Sequence, residues 1–186
     1  MLGFCDTSHV LQMAKRVKNH KMKLMIDFHY SNHFADPVYQ DLPQEWKNDT
    51  DQQLEMRIAD HTEELLKLFV EHGIYPEWVQ VGNEINNGLM WPRGSLQESP
   101  KQLVRFLNAG YDAVKNVCPE SQVITHLAAV CDDALCKPFL DNFFAENGKT
   151  DILGFSYYPY WEQRQPLRYF QIDIHYVRQN WQVRGC

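Results

Sequence analysis

Amphipathic helical segments and short apolar runs alternate four times along the chain, and this order restricts the fold more than any other feature of the sequence. Apolar residues recur at helical spacing within four segments, 7–20, 54–69, 103–117 and 139–144. A short apolar run follows each segment, at 22–28, 78–82, 122–128 and from 151 onward. Continuous apolar runs of this length predict strands of a parallel sheet that is covered on both faces. The sequence therefore predicts an α/β fold.

Two architectures of this class fit the pattern, a doubly wound sheet and a (β/α)₈ TIM barrel. A doubly wound sheet carries a glycine-rich phosphate turn after a strand, and no such turn occurs here. Polar and aromatic residues instead follow all four runs, in the tails HYSNHFADP, NEINNGLMWP, HLAAVCDD and SYYPYW. A barrel gathers the loops after its strands into one ring at the C-terminal face, so these tails favour the barrel.

The length of the chain limits how much of a barrel it forms. A complete barrel has eight strands and typically about 250 residues, whereas we predict four strands in 186 residues. Residues 1–186 are therefore expected to form a single partial domain, about half of a barrel. We expect poor solubility unless another segment or chain completes it, because an open half barrel exposes strand edges and apolar faces.

Charge, hydropathy and cysteine content exclude several classes. The formal net charge is −6 and no basic stripe is present, so we expect no nucleic-acid partner. The apolar runs are far shorter than the roughly 20 residues of a membrane helix, and the first twenty residues contain no signal-like apolar block. The chain is predicted to be soluble, with any export signal outside it. The five cysteines lack a C-x-x-C pair, so ordinary thiols are predicted, with a Cys131–Cys136 bridge as the alternative.

The stretch VQVGNEINNGLMWPRG, residues 79–94, places an amide and a carboxylate, Asn83 and Glu84, where the second strand ends. Apolar neighbours limit the hydration of Glu84, which suits a general acid. Asn83 offers both a donor and an acceptor, as a sugar hydroxyl requires. The alternative is that Glu84 caps a helix or pairs with Arg93.

Aromatic residues are concentrated just beyond the strands and in the long loop after the first one. They are Trp46, Trp91, Tyr157, Tyr158, Tyr160 and Trp161. Sugar rings have apolar faces and polar rims, so aromatic platforms beside polar side chains are typical of a carbohydrate cleft. The alternative is that these residues belong to the core at the top of the barrel.

The histidines give a weaker signal. His29 and His33 are four residues apart and Asp36 follows, which suggests a metal site, but Pro37 and a Ser-Asn pair make the helix that would align them unfavourable. We therefore predict no metal. His126 ends the third strand and faces either the cleft or the core.

Four segments together resemble the family 53 glycoside hydrolases, the arabinogalactan endo-β-1,4-galactanases. The segments are MKLMIDFHYSNHFADPVYQDLPQEW, VQVGNEINNGLMWPRG, ITHLAA and ILGFSYYPYW. The resemblance covers roughly residues 3–161, and GFCDTSHVLQMAKRVKNHKMK is similar to the family's helix before its third strand. It implies that the four predicted strands are strands three to six of the barrel.

The resemblance also implies roles for the candidate residues. In this clan of retaining glycosidases, the glutamate after strand four is the acid/base, which corresponds to Glu84, and Asn83 corresponds to the residue that binds the 2-hydroxyl. Tyr157 or Tyr158 is expected to contact the nucleophile. The other substrate contacts are expected from His29, Asp36, Trp46, Trp91, His126, Tyr160 and Trp161.

The chain departs from the family pattern at several places. No segment matches the first two strands, Asn32 stands where the family often has Asp, and residues 38–45 are not typical. The clan's nucleophile is a glutamate at the end of strand seven, whereas the only glutamate after Trp161 is Glu162, beside strand six. The nucleophile is therefore expected to be missing from residues 1–186, and this chain alone is expected to be inactive.

The expected substrate is β-1,4-galactan or arabinogalactan, cleaved without a cofactor, with any family calcium site outside this chain. A polymeric substrate implies a secreted or cell-envelope enzyme, monomeric when complete and without a membrane or nucleic-acid partner. Two alternatives stay open. One is a related retaining enzyme that cuts another β-1,4-glycan such as mannan or xylan, and the other is a carbohydrate-binding protein that has lost catalysis.

Overall fold

Helices and strands alternate along residues 5–129 and 133–158, which are the residues that the computed structural model describes. The helices are α1 (Thr7–Asn19), α2 (Asp51–Glu71), α3 (Pro100–Val117) and α4 (Asp133–Ala145). The strands are β1 (Met25–Phe28), β2 (Trp78–Val81), β3 (Gly88–Leu89), β4 (Gly94–Ser95), β5 (Gln122–Leu127) and β6 (Ile152–Phe155), and Gln44–Trp46 form a short 3₁₀ turn. The predicted α/β order is confirmed.

The main sheet is parallel, with the strand order β1-β2-β5-β6. Spatial order thus follows chain order, whereas a doubly wound sheet reverses at its switch point. Because crossovers between parallel strands are right-handed, an unreversed order places the connecting helices on one face of the sheet. This is the arrangement of a TIM barrel, and the four strands form about half of one.

Local sequence fixes where the first three helices begin. The Asp6 carboxylate accepts the His9 N–H at 2.9 Å at the start of α1. Thr50 and Gln53 form a reciprocal capping box at the start of α2, which pairs two donors that would otherwise lack partners. Pro100 occupies the first turn of α3, where its missing N–H costs nothing.

The core lies between the helices and one face of the sheet. Val79, Leu127, Leu54 and Phe106 are fully buried there. Gly110 brings α3 close to β2, because a Cβ at this position would lie 2.6 Å from Val81 Cγ1. The close approach of helix and strand therefore depends on a residue without a side chain.

Two details of the predicted strands were wrong. The first strand begins at Met25 rather than at residue 22, and it alternates between exposed and buried residues instead of being buried on both faces. Side chains alternate across a strand, so Ile26 and Phe28 face the helices while Asp27 faces the opposite side. The antiparallel pair β3–β4 was not predicted, because two-residue strands show no period.

No helix in residues 5–129 or 133–158 is both long and apolar enough to cross a lipid bilayer. The Cys131–Cys136 alternative cannot be compared with the structure, since Cys131 lies outside the described residues.

Two histidines whose pKa values are lowered by their surroundings, His61 and His126, are expected to make the stability of the fold depend on pH. The His61 ring on α2 packs against the rings of Phe28, Tyr30 and Trp46. Burial lowers the pKa of His61 below its usual 6.5, and the nearby Glu64 charge opposes this. Burial likewise lowers the pKa of His126.

Because these pKa values are lower in the folded state, the unfolded chain binds more protons as the pH falls below about 6.5. The stabilisation is therefore complete above that pH and is lost as the pH falls towards the folded-state values. We expect the free energy of unfolding, measured with urea, to decrease between pH 7 and pH 5. His61→Phe should flatten this dependence and the exposed control His20→Phe should not. An unchanged slope in His61→Phe would contradict the assignment.

Candidate active site

Glu84 lies in a tight turn directly after β2. Gly82 has a φ of 83° and Glu84 has a φ of 49°, so both adopt the left-handed region. A non-glycine residue in this region costs of order 1–3 kcal/mol and such residues cluster at functional sites. The turn is anchored by the Ile85 N–H, which donates to the His126 carbonyl at 3.0 Å. Glu84 is therefore held at the C-terminal edge of the sheet, as predicted from its position in the sequence.

The buried Gln40 side chain fixes this turn from the loop after β1. Its Nε2 donates to the Asn83 carbonyl at 2.8 Å and to the Asp36 carbonyl at 3.0 Å. The Gln40 carbonyl accepts the Trp91 N–H at 2.7 Å. A single residue thus connects the loop after β1, the Glu84 turn and the segment that carries Trp91.

A chain of side-chain hydrogen bonds crosses the sheet and fixes the orientation of each member. The Asp27 carboxylate accepts from Gln80 Nε2 at 2.7 Å, and the same nitrogen lies 3.2 Å from Asn83 Oδ1. Asn83 Nδ2 donates to the Ala35 carbonyl at 2.8 Å. The Asn83 oxygen therefore faces His126 Nδ1, 2.9 Å away. Since an amide oxygen only accepts, His126 Nδ1 carries a hydrogen.

The Glu84 N–H also lies 3.3 Å from His126 Nδ1. This contact is longer than the one to Asn83 Oδ1, and the amide orientation set by Ala35 and Gln80 decides the tautomer. The Nε2 atom of His126 is thereby left to contact Ser156.

Ser156, which follows β6, connects His126 to Glu84. Its hydroxyl lies 2.5 Å from Glu84 Oε1 and 3.1 Å from His126 Nε2. Burial lowers the pKa of His126, the charges of Glu84 and Asp27 act in the opposite direction, and His29 lowers it further. Glu84 is thus supported by side chains from neighbouring strands rather than by its own loop.

This arrangement differs from a serine nucleophile with its histidine base. In such a triad the carboxylate binds the far nitrogen of the histidine and orients it to accept the serine proton. Here the far nitrogen faces Asn83, and the carboxylate lies on the serine's own side. The reactive group of this arrangement is therefore the half-buried carboxyl group of Glu84, with an amide and an imidazole behind it.

His29 lies beside this network and uses both ring nitrogens. Its Nδ1 accepts the Ala35 N–H at 2.9 Å, so its Nε2 carries the hydrogen and donates to Asp27 Oδ2 at 3.1 Å. Asp36 Oδ1 accepts the N–H groups of Val38 and Tyr39 within its own turn. Within the described ranges, no three His, Cys, Asp or Glu side chains are grouped to hold a metal ion.

The predicted aromatic residues occupy different places. The Trp91 indole N–H donates to the Asn87 carbonyl at 3.0 Å, and the half-buried ring lines a cavity of about 430 Å³ with His33, Lys47 and Arg93. Trp46 lies outside the hydrogen-bond network and packs edge-on against His61, with ring centroids 6.2 Å apart.

Tyr157 is half-buried and Tyr158 is 53% exposed, both directly after Ser156. Tyr160, Trp161 and Glu162 lie outside the described residues.

The alternatives considered for Glu84 do not match its contacts. Arg93 donates from Nε to Asp51 at 2.7 Å, whereas the carboxylate of Glu84 contacts Ser156. Glu84 also lies well before α3, which begins at Pro100. It is therefore neither paired with Arg93 nor a helix cap.

Four residues of this site were not predicted from the sequence, namely Asp27, Gln40, Gln80 and Ser156. A signal was present for two of them, because Asp27 and Gln80 are polar residues inside apolar strand runs. Gln80 is buried and therefore needs a partner for its amide, whereas Asp27 is exposed. Gln40 and Ser156 lie in loops, and nothing in their immediate sequence distinguishes them.

The spatial order of the parallel strands follows their order in the chain, and a carboxylate, an amide and an imidazole lie at the carboxyl ends of the strands. These features define a (β/α)-barrel protein whose site lies at the C-terminal face. Residues 1–184 match the sequence profile of Glycosyl hydrolase family 53. The chain belongs to this family.

Comparison with individual proteins agrees with this assignment. The chain is 34% identical over 166 residues to the "Probable arabinogalactan endo-beta-1,4-galactanase A" of Aspergillus terreus, covering 86% of this chain and 47% of that protein. It superposes on the "Ignisphaera aggregans GH53 catalytic domain" with a TM-score of 0.85 at 34% identity, over 95% of this chain and 48% of the other. A structure described as one of "two fungal beta-1,4-galactanases" gives a TM-score of 0.89 at 26% identity, over 97% and 55%. The chain thus spans about half the length of the relatives it matches.

Proposed function

We propose that the protein is an endo-acting, retaining glycoside hydrolase that cleaves β-1,4-galactosidic bonds in galactan or arabinogalactan, with Glu84 as its general acid/base. The observation that carries this proposal is the placement of the Glu84 carboxyl group. Ser156 holds Oε1, while Oε2 has no hydrogen-bond partner in the part of the chain that the structure describes. One oxygen is thus fixed and the other is available to the glycosidic oxygen.

The neighbouring residues suit a sugar substrate. Asn83 Nδ2 donates one hydrogen to the Ala35 carbonyl, and its second hydrogen can bind a sugar hydroxyl. The indole N–H of Trp91, in the hairpin formed by β3 and β4, is satisfied by the Asn87 carbonyl, so its ring face is left for stacking on a pyranose. We infer that Tyr157 and Tyr158, adjacent to Ser156, complete the lining near the cleaved bond.

Retaining hydrolysis needs a second carboxyl group roughly 5–5.5 Å from the first. Glu84 protonates the leaving oxygen while this nucleophile attacks the sugar, and Glu84 then takes a proton from the water that releases the product. Asp27 does not suit this role, because its two oxygens contact Gln80 and His29. We assign the nucleophile to a residue that positions 1–186 do not supply, so these residues alone are expected not to hydrolyse galactan.

The proposed chemistry uses carboxyl groups and water and draws on no cofactor. A polysaccharide substrate does not enter cells intact, so we infer a secreted or cell-envelope enzyme that acts as a monomer. The names of the relatives, which include "Arabinogalactan endo-beta-1,4-galactanase" from Thermothelomyces thermophilus, support the polysaccharide class.

Substrate class is tested by assaying the protein expressed from its complete reading frame against β-1,4-galactan, β-1,4-mannan and β-1,4-xylan. We expect reducing ends to be released from galactan at least about tenfold faster than from the other two, a difference of about 1.4 kcal/mol in transition-state binding. Faster cleavage of mannan or xylan would replace the galactanase assignment with that of another β-1,4-glycanase. Binding of galactan without cleavage would identify a carbohydrate-binding protein.

A further inference from the structure

Three side-chain atoms lie in a row at the site, namely Glu84 Oε1, Ser156 Oγ and His126 Nε2. The two hydrogen bonds between them need one more hydrogen than the serine hydroxyl supplies. Ser156 Oγ lies 2.5 Å from Glu84 Oε1 and 3.1 Å from His126 Nε2. Two hydrogen bonds need two hydrogens, and the serine hydroxyl provides one. The hydrogen on His126 Nδ1 is already directed at Asn83 Oδ1. The second hydrogen of the row therefore resides on Glu84 Oε1 or on His126 Nε2.

We propose that Ser156 relays a proton between His126 and Glu84, so that the carboxyl group and the imidazole exchange one proton through the serine hydroxyl. In one state Glu84 is protonated and donates to Ser156, which donates to neutral His126. In the other state the imidazolium donates to Ser156, which donates to the Glu84 carboxylate. Each state holds three protons on the three side chains, so the exchange is balanced. The proposal rests on the acid/base role proposed for Glu84 and makes Ser156 and His126 its positioning residues.

The surroundings of His126 keep both states accessible. The carboxylates of Glu84 and Asp27 favour the imidazolium, whereas burial and His29 favour the neutral ring. Asp27 is itself shared between Gln80 and His29, so its charge is partly compensated. Burial is the largest of these effects and lowers the pKa of His126, which favours the state with the neutral ring, while the two carboxylates oppose it.

The backbone holds the relay in place. The Ser156 N–H donates to the Leu127 carbonyl at 2.9 Å, and β5 pairs with β6 in a register that sets His126 opposite Gly154. A Cβ at Gly154 would lie 2.8 Å from Ile124 Cγ2 but at an ordinary contact distance of 3.5 Å from the His126 ring, so the glycine leaves room for the Ile124 side chain. Sheet geometry, rather than the loop after β6, therefore brings the hydroxyl between the two titrating groups.

The relay matters because Glu84 changes its ionisation during each turnover. It must be protonated when the glycosidic bond breaks and ionised when water attacks. Glu84 gives the glycosidic oxygen a proton from Oε2 and exchanges with His126 only the proton on Oε1. The carboxyl group keeps its contact with Ser156 in both states of the relay. Its Oε2 atom is thus held in one position for both steps. A displacement of this atom by about 1 Å is expected to lower the rate by up to about 10²-fold.

The test compares Ser156→Ala with Ser156→Thr, which keeps the hydroxyl, in the protein expressed from its complete reading frame; Ser8→Ala on the exposed surface of α1 is the control. The first readout is the NMR titration of the His126 ring, assigned by its loss in His126→Gln. Ser156→Ala should shift this titration to lower pH, because the imidazolium loses its acceptor, and Ser156→Thr should restore it. An unchanged titration in Ser156→Ala would overturn the relay.

The second readout is the pH profile of kcat/KM on galactan. Ser156→Ala should lower kcat by up to about 10²-fold at nearly constant KM and move the alkaline limb to higher pH, because the carboxylate loses a donor. If Ser156→Ala lowers the rate without moving the alkaline limb, and Ser156→Thr does not restore the rate, then Ser156 has only a structural role. The NMR readout needs no turnover, so a protein that shows the His126 shift but does not cut galactan retains the relay and loses the proposed function.

Discussion

Glu84→Gln, in the protein expressed from its complete reading frame, is expected to lower kcat on galactan by about 10²–10⁴-fold, the usual contribution of a positioned general acid. Glutamine has the same shape and its amide oxygen can still accept from Ser156 Oγ, which lies 2.5 Å from Oε1 in the native protein. The variant therefore keeps the geometry of the site and loses only the proton. KM should change little, because Glu84 acts mainly in the transition state.

The control for this variant is Glu98→Gln, which makes the same chemical change at an exposed position before α3. It should keep the native rate. Steady-state release of reducing ends, with circular dichroism to verify folding, is sufficient for the comparison. A Glu84→Gln enzyme within tenfold of the native rate would rule out Glu84 as the acid/base.

A small external nucleophile separates the acid/base role from a structural one. In Glu84→Ala the glycosyl-enzyme cannot use a base-activated water, but azide needs no base and fits the space that the side chain leaves. With an aryl galactoside whose leaving group needs no protonation, azide should raise kcat and yield the galactosyl azide of retained configuration. Absence of this product would contradict the retaining mechanism with Glu84 as its base.

Gly88→Ala is expected to be the most damaging single-methyl substitution in the described residues. Gly88 has a φ of 103°, outside the region that alanine tolerates. A Cβ there would lie 2.0 Å from the Gly94 carbonyl oxygen, a backbone atom of the paired strand β4. Backbone strain of about 1–3 kcal/mol and overpacking of about 1–3 kcal/mol together lower the free energy of unfolding by about 2–6 kcal/mol.

Gly73→Ala provides the matched control. Gly73 also has a positive φ, 63°, but a Cβ there would meet only the flexible end of Lys18, at 2.9 Å. It should cost only the left-handed strain of about 1–2 kcal/mol. Urea unfolding of both variants measures the difference, and a cost for Gly88→Ala no larger than for Gly73→Ala would show that the hairpin relaxes. Because the same hairpin holds Trp91, Gly88→Ala should also raise KM for galactan.

The sequence was sufficient for the order of the elements and for the position of Glu84. Apolar runs mark β2 and β5 almost to the residue, since these strands are buried, and the tails after them reveal the edge where the site lies. The first strand was overextended, because Met22 is apolar but 64% exposed. Hydrophobicity alone therefore does not show at which residue of an apolar run the buried strand begins.

The support of Glu84 was not predictable in the same way. Asp27, Gln80 and His126 lie on three strands, separated by about fifty residues each along the chain. Their meeting depends on a parallel register that sets Asp27 opposite Gln80, and periodicity does not specify register between distant strands. Trp46 shows the opposite difficulty. Its position in the sequence suggested a platform for a sugar ring, whereas in the structure its ring packs on His61. Whether Trp46 also contacts substrate stays a prediction.

The side chains of this site meet only when β1, β2, β5 and β6 pair in the observed parallel register. An intact site therefore indicates correct strand pairing. A slip of one residue in β5 would turn His126 towards the helices and place Leu127 where the imidazole belongs, although the number of backbone hydrogen bonds would hardly change. Far-ultraviolet circular dichroism would record such a misfolded product as native. The glycan cleavage proposed for the protein expressed from its complete reading frame should be lost in such a product, so its specific activity is expected to measure the fraction of molecules with correctly aligned strands.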